Sequence, residues 1–177
     1  MVAIMNNEFF EKSKTFFDSK ELDNSLDYYE KALSYIDIQK DKSNYIQFLK
    51  EILKYCKENE LLEQEALALR ALGRTYSIFK QYVESLNYHR ESLEIQRKLG
   101  RKKELAEGLL FLAEDLEICG NYDECIESFL GAEEIFQELG RLGEAEEIKK
   151  EISRIKEFSK EMVEEEHILQ KFHVDKY

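Results

Sequence analysis

Three histidines, three cysteines and a dense scatter of carboxylates are the side chains with chemistry to offer in this 177-residue sequence. An active centre needs a constellation, such as a nucleophile with its base and orienting group, or ligands at metal spacing. His167 and His173 are six residues apart, so one helix turns them to different faces, and His167 follows the charged run Glu164-Glu165-Glu166. Cys119 and Cys125 flank an expected turn and Cys56 lies far away. An odd number of cysteines in a chain of this length argues against a disulfide framework, and the second close pair that a zinc site needs is missing. All three cysteines are expected to pack inside helices, in a reducing compartment. Carboxylate runs such as Glu144 with Glu146-Glu147 fall where solvated helix faces are expected. There is no glycine-rich phosphate loop, no Gly-x-Ser-x-Gly and no Cys-x-x-Cys. The reading is a non-enzyme with no catalytic residue, metal or cofactor.

The elements that would carry these side chains are helical. The sequence has no proline and only seven glycines, the two residues that most often interrupt helices. Charged residues make up 36% and hydrophobic residues 43%, too apolar for a disordered chain. The net charge of −12 argues against nucleic acid, which wants a basic face, and permits basic protein partners. Arg101-Lys102-Lys103 is a short basic patch that reads as a solvated loop. No signal peptide is visible after Met1, and no stretch approaches the ~20 apolar residues of a membrane span. A cytoplasmic protein is expected.

A self-match at a spacing of forty organises the chain. Leu99-Gly100-Arg101 returns as Leu139-Gly140-Arg141, Glu104 as Glu144, Ala66 as Ala106, Leu69 as Leu109, Leu72 as Leu112, Tyr82 as Tyr122 and Ile95 as Ile135. Each unit reads as two amphipathic helices. Leu69, Leu72, Tyr76 and Phe79, and then Leu105, Leu109, Leu112 and Leu116, recur at three and four. Leu86, Leu93, Ile95 and Leu99, and then Ile126, Phe129, Ile135 and Leu139, mark the second helices. Gly100, Gly120-Asn121 and Gly140 are stop signals. A degenerate copy spans 6–38, with Phe9, Phe16 and Phe17 in its first helix and Leu26, Tyr29, Ala32, Leu33 and Ile36 in its second. It sits sixty residues, not forty, before the Ala66 unit. The extra length holds one out-of-phase helix over 42–59, with Ile46, Leu49, Ile52, Leu53 and Cys56 on its apolar side. Repeats then cover 60–100 and 101–140, and a long helix covers 142–172. Its Ile148, Ile152, Ile155, Met162 and Leu169 approximate a heptad seam. Two readings fit that seam: a capping helix over the last open core face, or a homodimer contact.

These residues resemble the tetratricopeptide-repeat (TPR) family. Leu69, Leu72-Gly73 and Tyr76 are similar to its first-helix signature, and Leu109, Leu112-Ala113 and Leu116 repeat it. Ser25, Tyr29 and Ala32, then Ser85, His89 and Ser92, then Cys125, Phe129 and Ala132 occupy the small-aromatic-small places of its second helix. His89 thus stands at an aromatic packing place. The forty-residue spacing and Leu-Gly-Arg linkers look like the longer subclass of kinesin light chains, G-protein-signalling scaffolds and bacterial Rap-type regulators. The closing proline of the family is missing throughout. The resemblance implies an all-α, right-handed superhelix of about eight helices in antiparallel hairpins, whose first helices line a concave groove for a peptide or partner helix. It places Phe10, Lys14 and Phe17, then Arg70, Arg74 and Ser77, then Leu110, Glu114 and Glu117 along that groove, each set on one helical stripe, with Phe111 adding apolar contact. Arg70 and Arg74 are one turn apart and suited to a carboxylate, whereas Glu114 and Glu117 prefer a basic residue. The implied function is a protein-binding adaptor with a groove of mixed charge. A Rap-like regulator of a signalling protein, with its first helices as the vestige of a bundle, and a self-assembling scaffold are the alternatives.

Overall fold

Apolar residues spaced at three and four, with no proline to stop them, give eight helices and no strand among the described residues. The computed structural model describes residues 2–36 and 42–174, with side chains of those from Glu8 to Met162 and of Glu164. The helices are α1 (Val2–Asp18), α2 (Leu22–Leu33), α3 (Lys42–Glu58), α4 (Leu62–Ile78), α5 (Tyr82–Leu99), α6 (Lys102–Ile118), α7 (Tyr122–Glu138) and α8 (Leu142–Val174). The expected end of the first repeat, at 38, lies outside the described residues, as do the side chains of His167, Leu169 and His173.

The turns keep a stricter period than the repeats. Lys20, Glu60, Lys80, Gly100, Gly120 and Gly140 all have positive φ, between 57° and 75°, and stand at multiples of twenty. Each closes its helix the same way. The amide of the following residue donates to a carbonyl five residues back, as from Glu21 to Phe16, Leu61 to Cys56, Gln81 to Tyr76, Asn121 to Leu116 and Arg141 to Phe136, each at 2.9 Å. That bond satisfies a carbonyl the helix end would leave open. In the sequence, Lys20 and Lys80 show only as interruptions of the apolar spacing; the left-handed conformation itself is legible at the glycines alone, because lysine and glutamate carry no left-handed signal of their own.

Hairpins α1/α2, α4/α5 and α6/α7 pack tightly, because small residues face each other twelve positions apart. Ser13 and Ser25 exchange bonds across the first, each Oγ donating to the other's carbonyl at 2.7 and 2.8 Å. Gly73 and Ser85, with Ser85 Oγ 2.7 Å from the Gly73 carbonyl, and Ala113 with buried Cys125 hold the equivalent places. Helix α3 turns straight into α4 and lies against its small face, Ala68 and Ala71, while its own large rings face α1 and α2. Phe10 stacks on Tyr45 at 4.1 Å and meets Phe48 edge-on at 5.4 Å. Tyr29 lies 5.7 Å from Tyr45. Two hydrophobic clusters result, one across α1–α4 and one across α5–α8.

Three sequence expectations change. Cys119 is exposed at the C-terminus of α6, while Cys56 and Cys125 are buried. Leu99 and Leu139 are 37% and 41% exposed, because each lies at a helix end beside its turn; the buried faces stop at Gln96 and Phe136. In the α8 seam, Ile148, Ile152 and Ile155 are buried in the α5–α8 cluster, so these three are spent within the chain rather than on a second copy, and Met162 is exposed.

Candidate functional site

The three stripes meet three different fates. On α1, Phe10 is 5% exposed and Phe17 meets Phe48 and Tyr55 edge-on at 5.7 and 5.9 Å. The expectation that these rings line an open groove is corrected: α3 covers them, because two apolar faces on neighbouring helices bury each other rather than wait for a ligand. Lys14 stays at the surface, paired with Glu11 at 2.9 Å and lying over the Phe10 ring at 4.4 Å.

On α4, every expected groove residue already has a partner in the same chain. Arg70 reaches Glu107 of α6 at 3.4 Å. Arg74 binds Glu30 of α2 and lies 4.5 Å over the Phe111 ring. Ser77 donates to Asp115 Oδ1 at 2.6 Å. Burial lowers the pKa of both arginines. The picture of Arg70 and Arg74 as free grips for a foreign carboxylate gives way to one in which they tie neighbouring helices together.

Behind this stripe lies a buried polar layer. His89 and Asp115 are each 1% exposed, with His89 Nε2 3.6 Å from Asp115 Oδ2. Phe111 stacks on the imidazole at 6.1 Å, so Arg74, Phe111 and His89 form a sandwich that leads inward from the surface. Neither ring nitrogen of His89 has a hydrogen-bond partner. Burial, and then the charges of Arg74 and Arg70, push its pKa down to about 3, so the ring is neutral near pH 7. Gly73 makes the room: a Cβ there would stand 2.6 Å from the imidazole. Asp115 is raised by burial, against the bonds from Ser77 and Ser85. Ser85 Oγ is close to both the Gly73 carbonyl and Asp115 Oδ2, and one hydroxyl hydrogen cannot serve both. Asp115 departs from the apolar pattern of α6 and went unread in the sequence for that reason.

The third stripe is open. Leu110, Glu114 and Glu117 of α6 form one wall of a cleft of about 470 Å³ whose other wall is α8. Phe129 and Phe136 of α7, with Leu110 and Ile148, supply its apolar lining. The walls carry six glutamates (Glu107, Glu114, Glu117, Glu144, Glu147, Glu151) against Arg141 and Arg154, a net charge of −4. Both arginines are held: Arg154 by Glu117 through two contacts of 2.9 Å and by Glu151 at 2.7 Å, Arg141 by Glu144 at 2.9 Å. Among the described residues, Glu114 and Glu147 make no ion pair. The Glu114 carboxyl sits above its ordinary range, through loss of solvent and then the nearby Asp115 carboxylate, against the pull of the Arg74 charge. Phe111, expected beside Leu110, faces the polar layer instead. The α8 wall was missed because Glu144 and Glu146-Glu147 look like any solvated run; carrying the forty-residue period one step further puts residue 154 in the place of Glu114.

Four cross-links between successive units share nearly one spacing. Glu63–Arg101, Arg70–Glu107, Ser77–Asp115 and Glu117–Arg154 join residues 37 or 38 apart, from α4 to α6 and from α6 to α8. First helices therefore stand side by side on one concave face, as successive hairpins of a repeat array. The same architecture appears in solved structures. Apo RapI matches with a TM-score of 0.57 at 17% identity, over 82% of this chain and 60% of that one. BtubC (BKLC) from P. vanneervenii matches with a TM-score of 0.66 at 14% identity, over 81% and 61%. The fold is a TPR-like helical repeat. A Rap protein complexed with Competence and Sporulation Factor is also similar, with a TM-score of 0.53 at 14% identity, over 90% of this chain and 54% of that one. The TPR-like array here thus spans between 54% and 61% of the length of these proteins. The sequence matches no protein-family model and no curated protein. Among the described residues, no helix is long and apolar enough to cross a membrane.

Proposed function

We propose that this chain is a non-catalytic protein-binding module whose partner segment lies in the cleft between α6 and α8. The observation that carries the reading is the contrast along one concave face. The α1 stripe is covered by α3 and the α4 stripe is tied up internally, whereas the α6 stripe faces a cleft of about 470 Å³ with an apolar lining. That volume falls within the range of ligand-sized clefts, and an apolar lining supplies the non-directional part of peptide affinity. A photo-crosslinking side chain placed at Leu110 should yield an adduct with a specific partner that the Leu110→Gln chain no longer binds. The same group at Glu91 on α5 should yield none. Equal adducts from both positions would count against the cleft.

A second reading draws on the fold likeness to Rap proteins, one of which is complexed with Competence and Sporulation Factor. On that reading the cleft takes a signalling peptide that governs release of a larger partner. Adding the peptide to a preformed complex separates the two: release supports the regulator, and simple competition at the cleft supports the adaptor.

A further inference from the structure

Resting on that reading of the cleft, we infer that the segment it takes is basic and amphipathic, with lysine or arginine side chains laid across the apolar lining and their charges at Glu114 and Glu147. Charge and shape converge on this class of partner. The lining carries a net charge of −4, with carboxylates on both walls of one cleft of about 470 Å³. Carboxylates on both walls therefore act on an occupant together. The two cations in the cleft cannot greet an acidic ligand, since Arg154 is fastened by Glu117 and Glu151 and Arg141 by Glu144. Glu107 is likewise engaged, by Arg70 at 3.4 Å and Lys103 at 3.6 Å. Among the described residues neither Glu114 on one wall nor Glu147 on the other makes an ion pair; the Arg74 charge acts on Glu114, but Arg74 itself is paired with Glu30.

The cleft is apolar in its lining and acidic on its walls. Lysine and arginine have the complementary build, an apolar stem beneath a charged head. An acidic segment would bring like charges together, and a wholly apolar one would leave Glu114 and Glu147 facing hydrocarbon.

The test titrates the whole chain with a labelled 18-residue peptide of lysine and leucine at helical spacing, and with its glutamate–leucine counterpart. The lysine peptide should bind, more weakly as salt rises, and the glutamate peptide should not. Glu114→Gln with Glu147→Gln should weaken the lysine peptide about five-fold, in line with the modest worth of exposed ion pairs. Glu84→Gln with Glu91→Gln on α5, which removes the same charge elsewhere, should change it less than two-fold. Leu110→Gln should also weaken it. Circular dichroism confirms that each variant is folded. No binding of the lysine peptide, or equal losses in the two glutamine pairs, overturns the basic preference. Loss with Leu110→Gln but none with Glu114→Gln/Glu147→Gln sinks the charge claim and leaves the cleft standing. Indifference to all of these substitutions removes the cleft as well.

Discussion

The two halves of the molecule follow one backbone schedule with different chemistry. Helices start every twenty residues from Val2 to Leu142, yet among the described residues the left-handed turn residues are Lys20, Glu60 and Lys80 in the first half and Gly100, Gly120 and Gly140 in the second. Between α1, α2 and α3 the gaps are filled by Phe10, Tyr29, Tyr45 and Phe48, and the apolar stripe of α1 is sealed. Between α6, α7 and α8 the packing residues are Ala106, Ala113, Ala132 and Ala145 with Phe129, Phe136 and the isoleucines of α8, and the concave face stays open. The lesson is that period alone does not make a binding groove. What makes one is a first helix whose neighbour across the face stands off, as α8 does from α6, rather than one whose rings reach over, as those of α3 do.

Substitutions in the two halves sharpen or break this contrast. Phe10→Ala removes a ring held by Tyr45, Phe48 and Tyr29 and should cost about 3–5 kcal/mol in denaturant unfolding. Leu110→Ala, on the open side, should cost about 2 kcal/mol or less; equal costs would mean that the α6 stripe is as closed as the α1 stripe.

Gly73→Ala drives a methyl group into the His89 ring, 2.6 Å away, and should cost about 1–3 kcal/mol. Ala113, the equivalent residue one unit on, faces Phe129 without that conflict. In a His89→Ala background most of the Gly73→Ala penalty should vanish, which a double-mutant cycle of unfolding energies would read as coupling.

The same histidine predicts a dependence on pH. Unfolded, His89 has its ordinary value of 6.5, and the fold lowers it to about 3. Between those values the unfolded chain binds a proton that the folded chain refuses, so stability is lost as pH falls through that window. Asp115 acts in the opposite sense: its raised pKa contributes stability at low pH that is lost as pH rises past its unfolded value of 3.8. His89→Phe, the residue found at 129, should therefore shrink the drop in urea midpoint between pH 7 and pH 4.5. An undiminished drop would place the acid sensitivity elsewhere.

The smallest effect belongs to the turns. A non-glycine residue held at positive φ costs roughly 1–2 kcal/mol, part of which glycine returns through its greater freedom when unfolded. Lys80→Gly, at φ 57°, should raise stability by up to about 1 kcal/mol by thermal unfolding. Gly120→Lys should lower it by a similar amount.

Most of the architecture was legible because helix spacing and hairpin packing are local properties. Leu69, Leu72 and Tyr76 announce α4 at three and four, and the pairing of Gly73 with Ser85 announces a close crossing. The small-aromatic-small places were equally readable, and His89 does fill one. The site was less legible, because its residues are distinguished by what stands across from them. Phe10 and Leu110 share a register position, yet one is covered and the other is not, and only the placement of α3 decides which. Arg70 and Arg74 look like free cations until Glu107 and Glu30 are seen to meet them. Arg154 needed the forty-residue period to be carried into a helix whose charge pattern resembles a solvated face.

The central claim is that the open end of the concave face, and not the sealed end, receives the partner. Photo-crosslinking side chains placed singly at Lys14, on the α1 stripe, and at Glu114, on the α6 stripe, test it most directly when the lysine–leucine peptide is bound and the adduct is mapped by mass spectrometry. An adduct from 114 that unlabelled peptide competes away, with none from 14, is the predicted result. An adduct from 14 with none from 114 would contradict it.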